Sequence, residues 1–176
     1  VTGFLGTAEI GWVVTEFVKR ARRRRPNLIY VCDPVLGDDD LGGFAAPGLL
    51  AVFRDQLLPL ATLATPNRWE AKRLTSSSHE PAELLDAITA LGPRNVIVTG
   101  GASSGEDLHT LVRDESGDWK IGTPRLPVRP AGTGDLFAEG QRQLPEPAPD
   151  ARQVRASKPF IQAAEAAICH SDPGRF

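Results

Sequence analysis

The sequence predicts an α/β fold, a mostly parallel sheet flanked by helices, and three observations predict it. Two short, continuously apolar runs, "LIYVC" at 28–32 and "NVIVTG" at 95–100, have the composition of strands buried on both faces. Segments with helical apolar spacing alternate with them. The runs end in polar residues, Asp33 and Thr99, and ligands of α/β sheets sit beyond the carboxyl ends of the strands.

The elements follow in order. Over 8–24, Ile10, Val13, Val14, Phe17, Val18 and Ala21 recur on one face, with Glu9 in the first turn and arginines in the last, which predicts an amphipathic helix. Pro26 ends it, the 28–32 strand follows, and Asp33-Pro34 stops that strand. After a glycine-rich loop, 49–58 reads as helical, "ATLAT" as a weak strand, and "NRWEAKRL" as a helix beginning at Asn67. Leu84, Leu85, Ile88 and Leu91 space a further helix ahead of the 95–100 strand. "LHTLV" and "DWKIG", separated by "RDESG", read as an antiparallel hairpin. Residues 141–159 are proline-rich and irregular, and 160–170 resume a helix. Trp12, Trp69 and Trp119 read as packing residues, and His79, His109 and His170, which lack ligand spacing, as structural or exposed.

A chain of 176 residues with 41% hydrophobic side chains suits one domain with a sizeable core, so 1–176 reads as a single domain. A net charge of -2 offers no overall positive field for nucleic acid or membrane, and the arginines at 22–25 read as a solvated helix end. No apolar run reaches the roughly 18 residues of a membrane span. Cys32 and Cys169 show neither metal-ligand nor disulfide patterning, which suits a reducing cytoplasm. The chain has no methionine and begins at Val1 inside what reads as a working motif, so a fragment is expected. Small molecules or protein are the expected partners.

Three constellations could carry chemistry. In "AGTGD", a glycine turn feeding a helix leaves backbone N–H groups aimed outward as an anion hole, with Asp135 in the first turn placed to meet a hydroxyl beside a bound phosphoryl. The plainer reading is a capped turn with Asp135 serving the dipole. In "CDPVLGDDDLGG", Asp33 ends a buried strand and Asp38 follows a glycine; such carboxylates can hold Mg²⁺ through waters, or can simply end a strand and line a loop. Asp39 and Asp40 read as solvated. In "TPNRWE", Asn67 and Glu70 fit a capping box, yet with Thr65 they also follow a strand and border the same crevice. No Walker A sequence occurs.

Taken together, "TGFLG", "YVCDPVLGDD", "LLPLATLATPNRWEAKRLT", "VIVTGG" and "AGTGDLFA" follow one another in the order and spacing of a pyridoxal kinase. The chain resembles that family, within the ribokinase-like superfamily, from Val1 to about Ala138. The resemblance implies a ribokinase-like (Rossmann-like) three-layer fold, incomplete here, with the family motifs within 1–138. It implies transfer of the ATP γ-phosphoryl to the 5′-hydroxymethyl of pyridoxal, giving ADP and pyridoxal 5′-phosphate. In that scheme Asp135 takes the hydroxymethyl proton, and Gly132, Thr133 and Gly134 form the anion hole. Asp33 and Glu70 organise Mg²⁺ and its waters. Asp38, Thr65 and Asn67 line the triphosphate and cation sites, a monovalent cation among them. Thr99 contacts nucleotide phosphate, and Leu126 and Val128 form an apolar wall for adenine. A homodimer is the quaternary expectation.

The sequence also departs from that family. The family's N-terminal portion, with its first strand, most ring contacts and the lid, precedes the first motif here. Ala45 and Ala46 stand where the family has a bulky residue before a proline. Gly140, Pro145, Pro147 and Pro149 interrupt the long helix after the aspartate. The isolated chain is therefore expected to bind Mg-ATP but to turn pyridoxal over poorly. Three rivals stay open: a hydroxymethylpyrimidine kinase, against which Asp135 counts because that family has cysteine there; a sugar kinase of the superfamily; and a non-catalytic nucleotide-binding remnant.

Overall fold

The structure is a computed structural model that describes residues 1–76, 81–104 and 107–124. All of them belong to one compact unit, Val1–Arg125. The irregular segment 141–159, the helix expected at 160–170, and Cys169, His79 and His170 lie outside the described residues.

Helix α1 (Ala8–Arg24) has the extent the sequence predicts, opening at Thr7, whose hydroxyl accepts the Ile10 N–H at 3.4 Å. Its packing differs from the expected amphipathic face. The buried residues are Gly11, Thr15 and Val18, whereas Ile10, Val13 and Phe17 are 48%, 69% and 62% exposed. The cause is close approach. A Cβ on Gly11 would fall 2.7 Å from Val52 Cγ1, so the neighbouring helix reaches α1 only over small residues. Thr15 joins that buried strip because its hydroxyl donates to the Gly11 carbonyl at 2.8 Å and needs no water.

The chain continues through β1 (Val31–Cys32), a hairpin of β2 (Gly37–Asp38) and β3 (Gly42–Gly43), and α2 (Leu49–Val52). After α2 the helical path widens into a π turn, Phe53–Leu57, and tightens into a 3-10 turn, Leu58–Leu60. Pro59 lacks the N–H that an α-helix would need there. Then come β4 (Leu63–Ala64), α3 (Arg68–Thr75), α4 (Pro81–Thr89), β5 (Asn95–Ser104), β6 (Asp107–Asp114) and β7 (Gly117–Pro124).

The sheet order is β1-β4-β5-β6-β7, with β1, β4 and β5 mutually parallel and β5, β6 and β7 joined antiparallel. Thr2 adds a parallel bridge to Cys32 outside β1. β1 is shorter than the predicted 28–32 run because the Tyr30 carbonyl accepts from both Thr62 and Leu63, at 2.8 and 3.2 Å, at the very start of the pairing. β5 runs past the predicted 95–100. Its register shifts between Val98 and Ala102, where Gly100 adopts φ 63°, and it goes on to pair with β6. The predicted hairpin is β6–β7, its turn closed by Asp114 Oδ1 accepting from Ser116 N at 2.8 Å and Gly117 N at 3.2 Å.

The core gathers Leu49, Phe53, Leu57, Leu58, Leu74, Leu84 and Ile88 against Cys32, Ala64, Val96 and Val98. Val31 and Ile97, of opposite parity on the same strands, are 2% and 3% exposed, so the parallel part is buried on both faces as its composition predicts. His109 is buried on β6, in line with a structural role. Of the tryptophans read as packing residues, Trp69 packs against the core, but Trp12 and Trp119 are 49% and 42% exposed. Among the described residues, no helix is long and apolar enough to cross a membrane.

The β2–β3 hairpin replaces what the sequence offered only as a glycine-rich loop. It forms under Trp69, and a Cβ on Gly37 would collide with the Gly42 carbonyl oxygen while lying 2.7 Å from Trp69 Cζ3. Backbone cannot yield as a flexible side chain can. Gly37→Ala is therefore expected to destabilise the protein by about 1–3 kcal/mol, a loss readable in urea melts; an unchanged midpoint would mean that the hairpin is not so tightly held.

Candidate functional site

The site is built where three adjacent parallel strands end. Asp33 leaves β1 with its N–H donated to the Thr2 carbonyl at 2.9 Å, and it is 4% exposed. Thr65 leaves β4 with its N–H donated to the Cys32 carbonyl at 3.1 Å. Its hydroxyl is buried and has no hydrogen-bond partner among the described residues. Thr99, leaving the parallel part of β5, donates its N–H to the Pro66 carbonyl at 3.1 Å and bridges to Asn67.

Asn67 and Glu70 form the capping box that the sequence predicts. Asn67 Oδ1 accepts the Glu70 N–H at 2.9 Å, and Glu70 Oε2 accepts the Asn67 N–H at 2.7 Å. Both side chains do more than cap. Glu70 Oε1 accepts the Leu36 N–H at 3.1 Å, and Asn67 Nδ2 donates to the Gly37 carbonyl at 2.8 Å. The N-terminus of α3 thus clamps the loop that leaves β1. The part played by Leu36 and Gly37 was missed in the sequence, where only the glycines flanking "DDDL" hinted at a turn.

Glu70 is 4% exposed. Burial pushes its carboxyl up to about 7, opposed by the N–H groups it accepts and reinforced by the charge of neighbouring Asp33. Two carboxyl groups at one buried spot make a place where a cation is favoured. Among the described residues no group of three or more His, Cys, Asp or Glu is gathered as a metal cage. Any ion here would lean on the Asp33–Glu70 pair, water and ligand oxygens, which is the habit of Mg²⁺.

The structure therefore brings Asp33, Thr65, Asn67, Glu70 and Thr99 to one rim. Asp38 is turned to its own loop, its Oδ1 accepting from Asp40 N at 3.0 Å and Leu41 N at 2.6 Å. Asp39 and Asp40 are exposed, as read from the sequence. Asp135, Gly132, Thr133, Gly134, Leu126 and Val128 lie outside the described residues.

Residues 2–170 match the family described as phosphomethylpyrimidine kinase. The chain belongs to that family. Curated relatives of this phosphomethylpyrimidine kinase family chain include pyridoxal kinase PdxY of Leifsonia xyli subsp. xyli, 35% identical over 145 residues, with 78% of this chain and 51% of the relative covered. Pyridoxal kinase of Sus scrofa is 33% identical over 158 residues, with 78% and 49% covered. The chain spans about half the length of these curated relatives. Among solved structures, pyridoxal kinase from Leishmania donovani in complex with ADP and pyridoxamine superposes with a TM-score of 0.78 at 24% identity, covering 96% of this chain and 59% of that one. Pyridoxal kinase from Staphylococcus aureus in complex with pyridoxal gives 0.63 at 28% identity, covering 79% and 51%. The fold is the ribokinase-like α/β architecture that the motifs implied.

The raised Glu70 carboxyl sets a pH dependence. The folded protein holds a proton that the unfolded chain releases from 4.5 upward, so stability falls as pH rises from 4.5 through about 7 and levels off above. The fall is on the order of 3 kcal/mol. Urea melts between these limits should show it for the wild type and not for Glu70→Ala; equal slopes would dissociate Glu70 from the effect.

Proposed function

We propose that this chain carries the metal and nucleotide side of a pyridoxal kinase, which transfers the γ-phosphoryl of ATP to the 5′-hydroxymethyl of pyridoxal. The observation that carries this reading is the buried Asp33–Glu70 pair, clamped where β1, β4 and β5 end, in a chain whose curated relatives include pyridoxal kinases. Mg²⁺ fits that donor set, with Asp33 and Glu70 as its protein partners through water. When bound, it would neutralise charge on the phosphates, which in-line transfer requires more than covalent chemistry.

The chain's own residues divide the remaining work. Thr65, whose buried hydroxyl has no partner among the described residues, and Asn67, at a helix N-terminus, face the polyphosphate and a monovalent cation. Asp38 shapes this region by holding the hairpin turn. Thr99 contacts nucleotide phosphate, and Leu126 and Val128 form the adenine wall. Asp135 takes the proton of the attacking hydroxymethyl, and Gly132, Thr133 and Gly134 offer N–H groups to the transferring phosphoryl. We read 1–176 as one ribokinase-like domain, with the working motifs within 1–138. The rival acceptor is a hydroxymethylpyrimidine, favoured by the family description; assays with both acceptors separate the two.

Calorimetry on the folded chain should show magnesium-dependent ATP binding, weakened about tenfold or more by Asp33→Asn. A folded sample that binds no ATP, or binds it equally without magnesium, would sink the reading. The isolated chain is expected to release little ADP in the presence of pyridoxal.

Asp135 is best tested in a chimaera completed with the remaining half of the Leifsonia xyli relative. There Asp135→Asn should lose on the order of 10² to 10⁴ in rate while keeping its nucleotide affinity. Retention of most turnover would leave Asp135 as a first-turn charge serving only the helix dipole.

A further inference from the structure

We propose that Trp69 is a positioning residue of the rim: it sets the affinity for a magnesium nucleotide without touching it, by fixing the β2–β3 hairpin against the start of α3. The inference deepens the phosphoryl-transfer reading and rests on it, and its test separates the two.

The hairpin has little to hold its own shape. Its ladder is two pairs long, Gly37 with Gly43 and Asp38 with Gly42, and all but Asp38 are glycines, which have the most backbone freedom to lose. Its base is tied down at Leu36, whose N–H goes to Glu70 and whose carbonyl accepts from Phe44 and Ala45, each at 3.1 Å. The ladder itself leans on Trp69. Gly37 and Gly43 are cross-strand partners, and a Cβ on either would meet the same edge of the indole. At Gly37 it would lie 2.7 Å from Cζ3, and at Gly43 3.1 Å from Cη2 and 3.5 Å from Cζ2. The six-membered ring of the indole therefore lies across both strands at once. One turn further along α3, the Arg73 guanidinium stands 5.0 Å from the ring centroid and steadies its orientation.

The hairpin matters to the rim because the two share side chains. Asn67 holds the Gly37 carbonyl and Glu70 the Leu36 N–H, so a hairpin that slides takes partners from both. Asp38 moves with it, since it belongs to the ladder and its carboxylate closes the turn through Asp40 and Leu41. The indole thus decides how much of the time Asn67, Glu70 and Asp38 stand in one arrangement. A ligand that binds only that arrangement has an apparent dissociation constant that rises as the arrangement becomes rarer. A phenyl ring is shorter than an indole and would reach the two glycines less fully, which gives the wide ring its place here.

Calorimetric titration of the 176-residue chain with Mg-ATP tests this, with circular dichroism to establish the folded fraction. Trp69→Leu is expected to raise the dissociation constant about tenfold at unchanged stoichiometry, and Trp69→Phe to raise it less. Gly43→Ala, whose methyl presses on the ring, should weaken binding in the wild type and have no effect beside Trp69→Leu, where the space is open. That dependence of one site on the other is something a general loss of stability would not give. Wild-type affinity in Trp69→Leu, with only the number of competent molecules reduced, would overturn the inference and leave Trp69 as a packing residue. Equal harm from Gly43→Ala in both backgrounds would overturn it as well. Should Trp69→Leu not fold, Trp69→Phe takes its place under the same criteria. A folded wild type that binds no Mg-ATP would overturn the phosphoryl-transfer reading and this inference together, whereas a wild type that binds it beside variants of equal affinity would overturn this inference alone.

Discussion

The arrangement rests on one buried carboxylate. Glu70 accepts the N–H of Leu36 with one oxygen and that of Asn67 with the other, so a single side chain fixes the exit of β1 against the start of α3. Neither backbone group could be left unpaired in that interior without losing roughly 1–3 kcal/mol. From this clamp the rest follows. Asn67 reaches back to the Gly37 carbonyl, Gly37 fits under Trp69, and Thr99 is bridged to Asn67 from the next strand.

The clamp has a cost that stability alone would not select. Glu70 is buried beside Asp33, and its carboxyl rises to about 7 because burial disfavours charge there. A glutamine could share hydrogen bonds with one of the two N–H groups, but its amide would point a donor at the other. The carboxylate is thus the group that satisfies both donors, and the tension it creates with Asp33 is what makes the spot receptive to a cation.

How much of this was legible in the sequence depends on the range over which each interaction acts. The capping box is local, four residues read in a row, and it stands where the sequence set it. The apolar runs ending in Asp33 and Thr99 announced buried parallel strands, because burial on both faces leaves a continuous signature. The hairpin of Gly37–Asp38 with Gly42–Gly43 was hidden, since its ladder is two residues long and depends on Trp69 arriving from another element. The face that α1 buries was hidden for the same kind of reason. Apolar periodicity finds a helix, but Gly11 decides which side a neighbour can approach, and that decision belongs to Val52, forty-one positions away.

Local and distant constraints also separate what this rim can do from what it cannot do alone. Asp33, Thr65, Asn67, Glu70 and Thr99 offer hydrogen-bonding groups and two acids, suited to holding a polyanion through a cation. They are poorly suited to taking a proton from an alcohol. Each oxygen of Glu70 already accepts one backbone N–H, which fixes the carboxyl at the strand ends and leaves its remaining lone pairs turned to water or a cation rather than free to follow a reacting hydroxyl. In the proposed kinase the proton is assigned instead to Asp135, whose carboxyl follows the "AGTG" turn in the sequence. On this division Glu70 holds the strand ends rigid so that charge can be placed, and in the proposed scheme proton transfer falls to a different residue.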